Sequence, residues 1–193
     1  VYGSILMLCT ILYMLTILLM EKKDKEIYKG LSDTDALTGL LNRRAFQAAV
    51  DETLLKRISG IFIFLDVDNF KNYNDKYGHA NGDLCLKHFA AAMKKCFPKD
   101  SILGRYGGDE FVVYIKNAAS DAAHRYMDEF QREISHLMMS GGEHVTVSAS
   151  AGGVAFAGEG EDFVSLCRSA DNMLYDVKRN GKGTFKMKGA KNM

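Results

Sequence analysis

The apolar run IFIFLDV, at residues 61–67, restricts the possible folds of this chain more than any other stretch. It contains β-branched, aromatic and aliphatic residues with a single acid near its end, which is typical of a strand buried inside a sheet. Apolar residues recur at helical spacing before this run, at Phe46 and Val50, and after it, at Phe89 and Met93. The pattern therefore predicts helices packed on a largely buried sheet.

The rest of the chain continues this alternation of helices and strands. The predicted strands ILGRY and FVVYI flank a pair of glycines and form a hairpin, and residues 144–156 predict a further strand. Helices are predicted over residues 121–139 and 162–181, whereas residues 69–83 predict a short helix and a loop. This order predicts an α/β fold with a central mixed β-sheet surrounded by helices, of the ferredoxin-like kind.

The first twenty residues carry no charge, and a helix of this length crosses a bilayer core of about 30 Å. The EKKDK segment that follows contains three lysines, which is typical of the cytoplasmic end of a membrane helix. We therefore expect a transmembrane helix over residues 1–20, a linker over 21–34 and a domain over 35–193. A buried core helix is the alternative for residues 1–20.

Charge and cysteine content exclude several classes of protein. The chain has 25 Lys plus Arg against 24 Asp plus Glu, for a formal net charge of +1, so it lacks the excess of positive charge of a basic nucleic-acid binder. Its four cysteines lie far apart with no C-x-x-C spacing. They predict buried thiols in a reducing compartment and not a disulfide or zinc framework.

Acidic residues occur where two predicted strands end. Asp66 and Asp68 close the buried strand, and Asp109 and Glu110 follow the glycines of the hairpin. If the strand lies beside the hairpin, these carboxylates converge on one end of the sheet, and oxygen ligands without nearby His or Cys favour Mg²⁺ or Mn²⁺. The alternative is a solvated hairpin tip that binds nothing.

Four sequence blocks resemble the signature motifs of the GGDEF family of diguanylate cyclases. They are DALTGLLNRR at 35–44, DVDNFKNYNDKYGHANGD at 66–83, GGDEF at 107–111 and ADNMLYDVKRNGKG at 170–183. The resemblance extends from about residue 35 to the end of the chain, with the blocks in the family's order and spacing. It implies a fold similar to the palm of polymerases and nucleotide cyclases.

The resemblance also implies a metal centre with two Mg²⁺ or Mn²⁺ ions in each active site. Asp66 and Asp109 look like the metal ligands, with the Val67 carbonyl beside them and Glu110 serving the second ion. Asp66, Asp109 and Glu110 would then be the catalytic residues.

The same resemblance assigns residues to GTP. Asn74 and Asp83 match the guanine-binding positions, where a carboxylate can accept from guanine N1–H and the exocyclic amine together. The phosphates would be held by backbone N–H groups and by lysine ammonium groups, while glycines leave room for the nucleotide. The residues concerned are Asn69, Phe70, Lys71, Lys178 and Lys182 for the phosphates, and Gly107 and Gly108 for the space beside them.

Two of these assignments have alternatives. Lys178 and Lys182, taken to lie on one helix face, could instead be a solvated helix end. Asp68 could cap the following helix instead of binding a metal. The sequence also departs from the family in one motif, because residues 98–101 read PKDS where many members have the inhibitory product site R-x-x-D. Product inhibition at that site is therefore not expected.

Together these features predict a diguanylate cyclase that condenses two GTP into cyclic di-GMP and two pyrophosphates at a homodimer interface. Its expected location is the inner membrane of a bacterium, held by residues 1–20, with the catalytic domain in the cytoplasm and no nucleic-acid partner. The alternative is a catalytically inactive GGDEF module that binds GTP or cyclic di-GMP and regulates another protein. Such modules usually lose an acid from the GGDEF motif, whereas this chain retains both Asp109 and Glu110.

Overall fold

The computed structural model describes residues 7, 10–20, 33–135, 137–138 and 144–188. The chain divides into two compact units, residues 1–34 and residues 35–193. In the first unit, residues 10–20 are helical (α1). Among the residues that the structure describes, no helix is both long enough and apolar enough to cross a membrane. Most of the other residues of the predicted span, and residues 21–32 of the predicted linker, lie outside the described residues.

The second unit contains a six-stranded mixed sheet in the order β1-β3-β4-β2-β7-β8. Strand β2 lies at its centre, antiparallel to β4 on one side and β7 on the other. A separate pair, β5 and β6, forms a second small sheet. In chain order the elements are β1 (Leu41–Asn42), α2 (Arg43–Leu55), β2 (Gly60–Val67), α3 (Phe70–Tyr77), α4 (His79–Cys96), β3 (Ile102–Gly107), β4 (Glu110–Lys116), α5 (Ser120–Ile134), β5 (Leu137–Met138), β6 (His144–Val145), β7 (Ala149–Phe156), α6 (Phe163–Arg179) and β8 (Phe185–Lys188).

Strand β2 confirms the prediction of a buried strand, since all eight of its residues are buried. Its side chains alternate between two apolar clusters because successive residues of a strand point to opposite faces. Ile63 belongs to the cluster that includes Phe89 of α4 and Phe130 of α5. Phe62 belongs to the other, with Phe46 of α2 and the first residues of α6. Helices therefore cover both faces of the sheet, as predicted.

Several elements differ from the prediction. The strand predicted over residues 144–156 is divided into β6 and β7. Helix α4 begins at His79, directly after Gly78, whose positive φ of 81° separates α3 from α4, so residues 79–83 are helical and not a loop. Helix α5 ends at Ile134, and Leu137–Met138 pairs with His144–Val145 instead of extending the helix. Strand β8 was not predicted. It contains only four residues, too few for their alternation of apolar and polar side chains to identify a strand.

Candidate active site

Three of the predicted acidic residues meet at one end of the sheet, where β2 finishes and the β3–β4 hairpin turns. Asp66 on β2 lies directly opposite Glu110 on β4 in the antiparallel register. The backbone N–H of Val67 donates to the carbonyl oxygen of Asp109 at 3.1 Å. The expected convergence of Asp66, Val67, Asp109 and Glu110 is therefore present, because the central strand is adjacent to the hairpin.

These carboxylates are crowded and partly desolvated. Asp66 is only 8% exposed, and burial raises its pKa, as do the nearby Asp109 and Asp68, although the Lys178 ammonium opposes the shift. Burial likewise raises the pKa of Glu110, and Asp66 and Asp109 raise it further. Lys178 Nζ lies 2.7 Å from Asp66 Oδ2. The end of the sheet thus holds clustered negative charge that a cation stabilises.

The side chains suit a hard divalent cation by their chemistry. Within the described ranges, no three His, Cys, Asp or Glu side chains already surround a common point where a metal ion could bind. The acids that converge offer only oxygen donors, which Mg²⁺ and Mn²⁺ prefer. Burial is the main cause of the raised pKa values of Asp66 and Glu110, and the neighbouring acids add to it; a bound cation would offset both effects.

The two glycines of the hairpin leave the space beside it open. A Cβ atom added at Gly107 or Gly108 would meet no other atom within 4 Å. Gly108 has a φ of +50°, which favours glycine, and the strand register shifts between Arg105 and Gly107. The space beside both glycines is therefore open.

Arg105 anchors this hairpin, a role that the sequence does not predict. Its guanidinium donates to the Gly108 carbonyl from Nε at 3.0 Å and from Nη2 at 2.7 Å. Its Nη1 also donates to both carboxylate oxygens of Asp35, at 3.1 and 3.2 Å. Arg105 therefore ties the glycine turn, one residue before Asp109, to the first residue of the second unit.

Asp35 organises the turn over residues 35–40. Its Oδ1 accepts from the backbone N–H of Thr38 at 2.9 Å and from the Thr38 hydroxyl at 2.7 Å. Burial raises the pKa of Asp35, but hydrogen bonds from Thr38 and Arg105 outweigh it and hold the pKa below its ordinary value. Lys94 Nζ, on α4, donates to the carbonyls of Thr38 and Gly39 at 3.3 and 3.2 Å. The turn is thus held by both α4 and the hairpin.

The predicted guanine-binding residues lie on the adjacent helices α3 and α4. Asn74 Oδ1 is buried and has no hydrogen-bond partner within the described part of the chain, an arrangement that costs free energy unless a ligand or water donates to it. It lies against Gly82, where a Cβ atom would overlap it. Asp83 is the next residue and is exposed. A residue larger than glycine at position 82 would displace Asn74. The sequence does not reveal this close contact.

The predicted phosphate-binding residues lie on two elements. Asn69 precedes α3 as its N-cap, with φ 56° and no side-chain cap bond, and the first N–H groups of α3, including those of Phe70 and Lys71, have no acceptor within the helix. The prediction that Lys178 and Lys182 share one helix face is wrong, because α6 ends at Arg179. Lys182 lies beyond that end with φ 60°.

Asp68 neither caps α3 nor points at the acidic cluster as a free ligand. Its two oxygens accept from Ser148 Oγ at 2.7 Å, Ser150 Oγ at 2.6 Å and the backbone N–H of Gly183 at 2.9 Å. The alternative that Asp68 caps α3 is therefore wrong, because Asn69 is the N-cap, and the Asp68 carboxylate instead joins β2 to β7 and to the loop after α6. The two serines carry no sequence signal of their own, since they come close to Asp68 only through the β2–β7 pairing.

Comparison with known proteins identifies the type of domain. Residues 32–184 match the family model described as "Diguanylate cyclase, GGDEF domain". The chain is 33% identical over 168 residues to cyclic di-GMP phosphodiesterase PdeR of Escherichia coli, an alignment that covers 86% of this chain and 25% of that protein. It is 31% identical over 186 residues to diguanylate cyclase DgcM of E. coli, covering 94% of this chain and 44% of that protein.

The fold is also that of a solved structure. The coiled coil and GGDEF domain of DgcB from Caulobacter crescentus, in complex with c-di-GMP, is similar with a TM-score of 0.78 and 26% identity. That similarity covers 90% of this chain and 95% of the DgcB chain. The chain thus spans about a quarter of the length of PdeR and somewhat less than half of the length of DgcM. It spans nearly all of the solved DgcB chain.

Proposed function

The chain belongs to the GGDEF family of diguanylate cyclase domains, and from this we propose that it condenses two GTP molecules into cyclic di-GMP and two pyrophosphates. The observation that carries the proposal is the convergence of Asp66 and Glu110 across the β2–β4 pair, with Asp109 beside them. Crowded carboxylates with raised pKa values at a glycine turn suit a metal-dependent reaction at a phosphate.

Asp66, Asp109 and Glu110, with the carbonyl of Val67, would hold two Mg²⁺ or Mn²⁺ ions. When bound, these ions lower the pKa of the attacking 3′-hydroxyl group and neutralise negative charge on the phosphoryl group. Lys178 contacts Asp66 directly at 2.7 Å, so its ammonium stands where a triphosphate and the acids would meet. It would exchange this carboxylate for a phosphate oxygen when the nucleotide binds.

Residues of α3, of α4 and of the loop after α6 would orient the nucleotide. The N–H groups of Asn69, Phe70 and Lys71, with the ammonium of Lys71, would hold the β- and γ-phosphates at the start of α3. Asn74 and Asp83 would bind guanine, and the unpartnered Asn74 Oδ1 offers an acceptor for a base N–H group. Adenine lacks the N1–H and exocyclic amine pair that Asp83 would accept from.

The reaction needs two domains, each holding one GTP. The 3′-hydroxyl oxygen of each GTP loses its proton to solvent and forms a bond to the α-phosphorus of the other, and the bond between that phosphorus and the α–β bridging oxygen breaks, releasing pyrophosphate. Two such steps close the ring of cyclic di-GMP. A homodimer with facing active sites provides this arrangement, and the similar DgcB structure, which is described as a complex with c-di-GMP, supports the choice of product.

The proposal extends to the whole chain. Residues 1–20 would anchor it in the inner membrane of a bacterium, residues 21–34 would link the anchor to the domain at 35–193, and that domain would lie in the cytoplasm. Holding two chains in one membrane raises the effective concentration of the half-sites. The uncharged first twenty residues and the three lysines after them support this arrangement.

The decisive experiment is product analysis. The full 193-residue chain is incubated with GTP and Mg²⁺, and mass spectrometry should detect cyclic di-GMP. Asp109→Ala should abolish synthesis without changing the circular dichroism spectrum, because a residue of the hairpin turn packs little of the core. Asp128→Ala, an exposed change on α5, is the matched control and should retain activity. Binding of GTP without any product would support the inactive regulatory module instead.

A further inference from the structure

The carboxylate of Asp68 joins three parts of the chain that are distant in sequence. Its Oδ1 accepts from Ser150 Oγ, and its Oδ2 accepts from Ser148 Oγ and from the N–H of Gly183. Ser150 is completely buried, and its hydroxyl also accepts from the Gly183 N–H at 3.2 Å. The end of β2, the start of β7 and the loop after α6 therefore meet at this one carboxylate.

That loop has an unusual backbone. Gly181, Lys182 and Gly183 have φ values of 125°, 60° and 64°, so three consecutive residues lie in the region that favours glycine. For Lys182 this conformation is unfavourable and persists only where surrounding contacts impose it. Lys182 N donates to Val177 O at 3.2 Å on one side, and Asp68 holds the next residue on the other.

The held residue places its side chain at the start of α3. Lys182 Nζ donates to Asn69 Oδ1 at 2.8 Å, and Asn69 is the N-cap of α3. Two consecutive residues, Asp68 and Asn69, thus bind two consecutive residues, Gly183 and Lys182. Asp68 fixes the backbone of the loop, and Asn69 receives the ammonium beside the free N–H groups of the helix.

We propose that Asp68 is a positioning residue, which acts on the nucleotide through Lys182 by fixing the loop at residues 181–183. This inference rests on the proposed function, since it takes the triphosphate to bind between Lys182 and the start of α3. Asp68 itself contacts no ligand in this scheme. Its two oxygens already accept three hydrogen bonds, which hold the carboxylate against β7 and the loop.

The test is a double-mutant cycle on binding, made with the full 193-residue chain. Affinity for a non-hydrolysable GTP analogue with Mg²⁺ is measured by calorimetry for wild type, Asp68→Ala, Lys182→Ala and the double variant. Loss of one charge-assisted contact to phosphate should weaken binding by about 10-fold in each single variant. The double variant should be no weaker than Lys182→Ala alone, because Asp68 acts only through Lys182.

Further variants separate positioning from other roles. Asp68→Asn keeps the side-chain volume and one acceptor oxygen, so its affinity should fall between wild type and Asp68→Ala, and it covers the case in which the alanine variant does not fold. Asp128→Asn, exposed on α5, should bind as wild type does. Mn²⁺ affinity without nucleotide, measured by electron paramagnetic resonance, should fall slightly and by the same factor in both Asp68 variants, because each removes one charge that acts on Asp66.

Several outcomes would overturn the inference. If the losses of affinity in the two single variants multiply in the double variant, Asp68 acts independently of Lys182. A much larger loss of Mn²⁺ affinity in Asp68→Ala than in Asp68→Asn, which keeps one oxygen donor, would make Asp68 a metal ligand. Unchanged GTP affinity in Asp68→Ala and Asp68→Asn would remove its role altogether. A wild-type chain that binds the analogue but makes no cyclic di-GMP would refute only the proposed activity, whereas a chain that binds no GTP would refute both.

Discussion

Replacing Arg105 by alanine should destabilise the chain far more than replacing Arg57, although the two ion pairs have nearly the same length. Arg105 lies 3.1 Å from Asp35, with the two side chains 15% and 23% exposed. Arg57 lies 2.9 Å from Glu159, with the two side chains 74% and 68% exposed. The pairs therefore differ in burial and in the number of contacts, since Arg105 also donates to Gly108, and Arg57→Ala is the exposed control.

The expected magnitude follows from that burial. Exposed ion pairs contribute roughly 0.2–1 kcal/mol, whereas removing one partner of a fully buried pair costs about 3–5 kcal/mol. Arg105→Ala removes four N–H···O contacts, two to Asp35 and two to Gly108, from a site that is only partly buried. We expect a loss of about 2–3 kcal/mol, which lowers the Tm by about 4–12 °C in a chain of this size.

Urea unfolding of the full chain, monitored by circular dichroism, measures the loss in free energy of unfolding for Arg105→Ala and for Arg57→Ala. A double-mutant cycle with Asp35→Ala then isolates the interaction energy between Arg105 and Asp35. The hydrogen bonds that lower the pKa of Asp35 add a pH signature. A carboxyl with a lowered pKa stabilises the fold above its ordinary value of 3.8 and loses that contribution as pH falls through its folded value. The difference between wild type and Arg105→Ala should therefore shrink below pH 3.8.

Synthesis of cyclic di-GMP should fall as well, because Arg105 holds the carbonyl of Gly108, the residue before Asp109. Arg105→Lys keeps the charge but not the fork that reaches two partners, so it should recover part of the stability and little of the activity. Equal losses in Arg105→Ala and Arg57→Ala would refute the argument from burial. A destabilised Arg105→Ala with full activity would refute the link to the glycine turn.

Three further predictions concern guanine choice, the acidic cluster and product control. Asp83→Ser should reduce discrimination between GTP and ATP by about 5–150-fold in kcat/KM, the value of one bidentate base contact; unchanged discrimination would mean that guanine is bound elsewhere. Burial and the neighbouring acids raise the pKa of Glu110, so its carboxylate lowers stability as pH rises above 4.5. Glu110→Gln should therefore abolish synthesis yet raise the Tm at pH 7, and a lower Tm would contradict this. Because residues 98–101 lack the Arg and Asp of the inhibitory motif, cyclic di-GMP at micromolar concentration should not inhibit, and noncompetitive inhibition in a titration would prove otherwise.

Features that depend on neighbouring residues could be predicted from the sequence alone. The apolar run of β2 predicts a buried strand, and all eight of its residues are buried. The acids at the ends of β2 and of the hairpin predict a cluster if the two are adjacent, and the pairing of β2 with β4 meets that condition. In each case the residues that support the prediction lie within one strand or at the ends of two paired strands.

Only the tertiary structure decided which distant side chains meet. Arg105 contacts Asp35 across 70 positions of sequence, and Asp68 contacts the Gly183 N–H across 115. Lys182 lies beyond the helix that its spacing from Lys178 had suggested. Helical or strand periodicity carries no information on such contacts, because they arise from the order of strands in the sheet and from the conformation of loops. Local chemistry thus determined the elements and the acidic residues of this protein, while long-range packing determined how those residues are held.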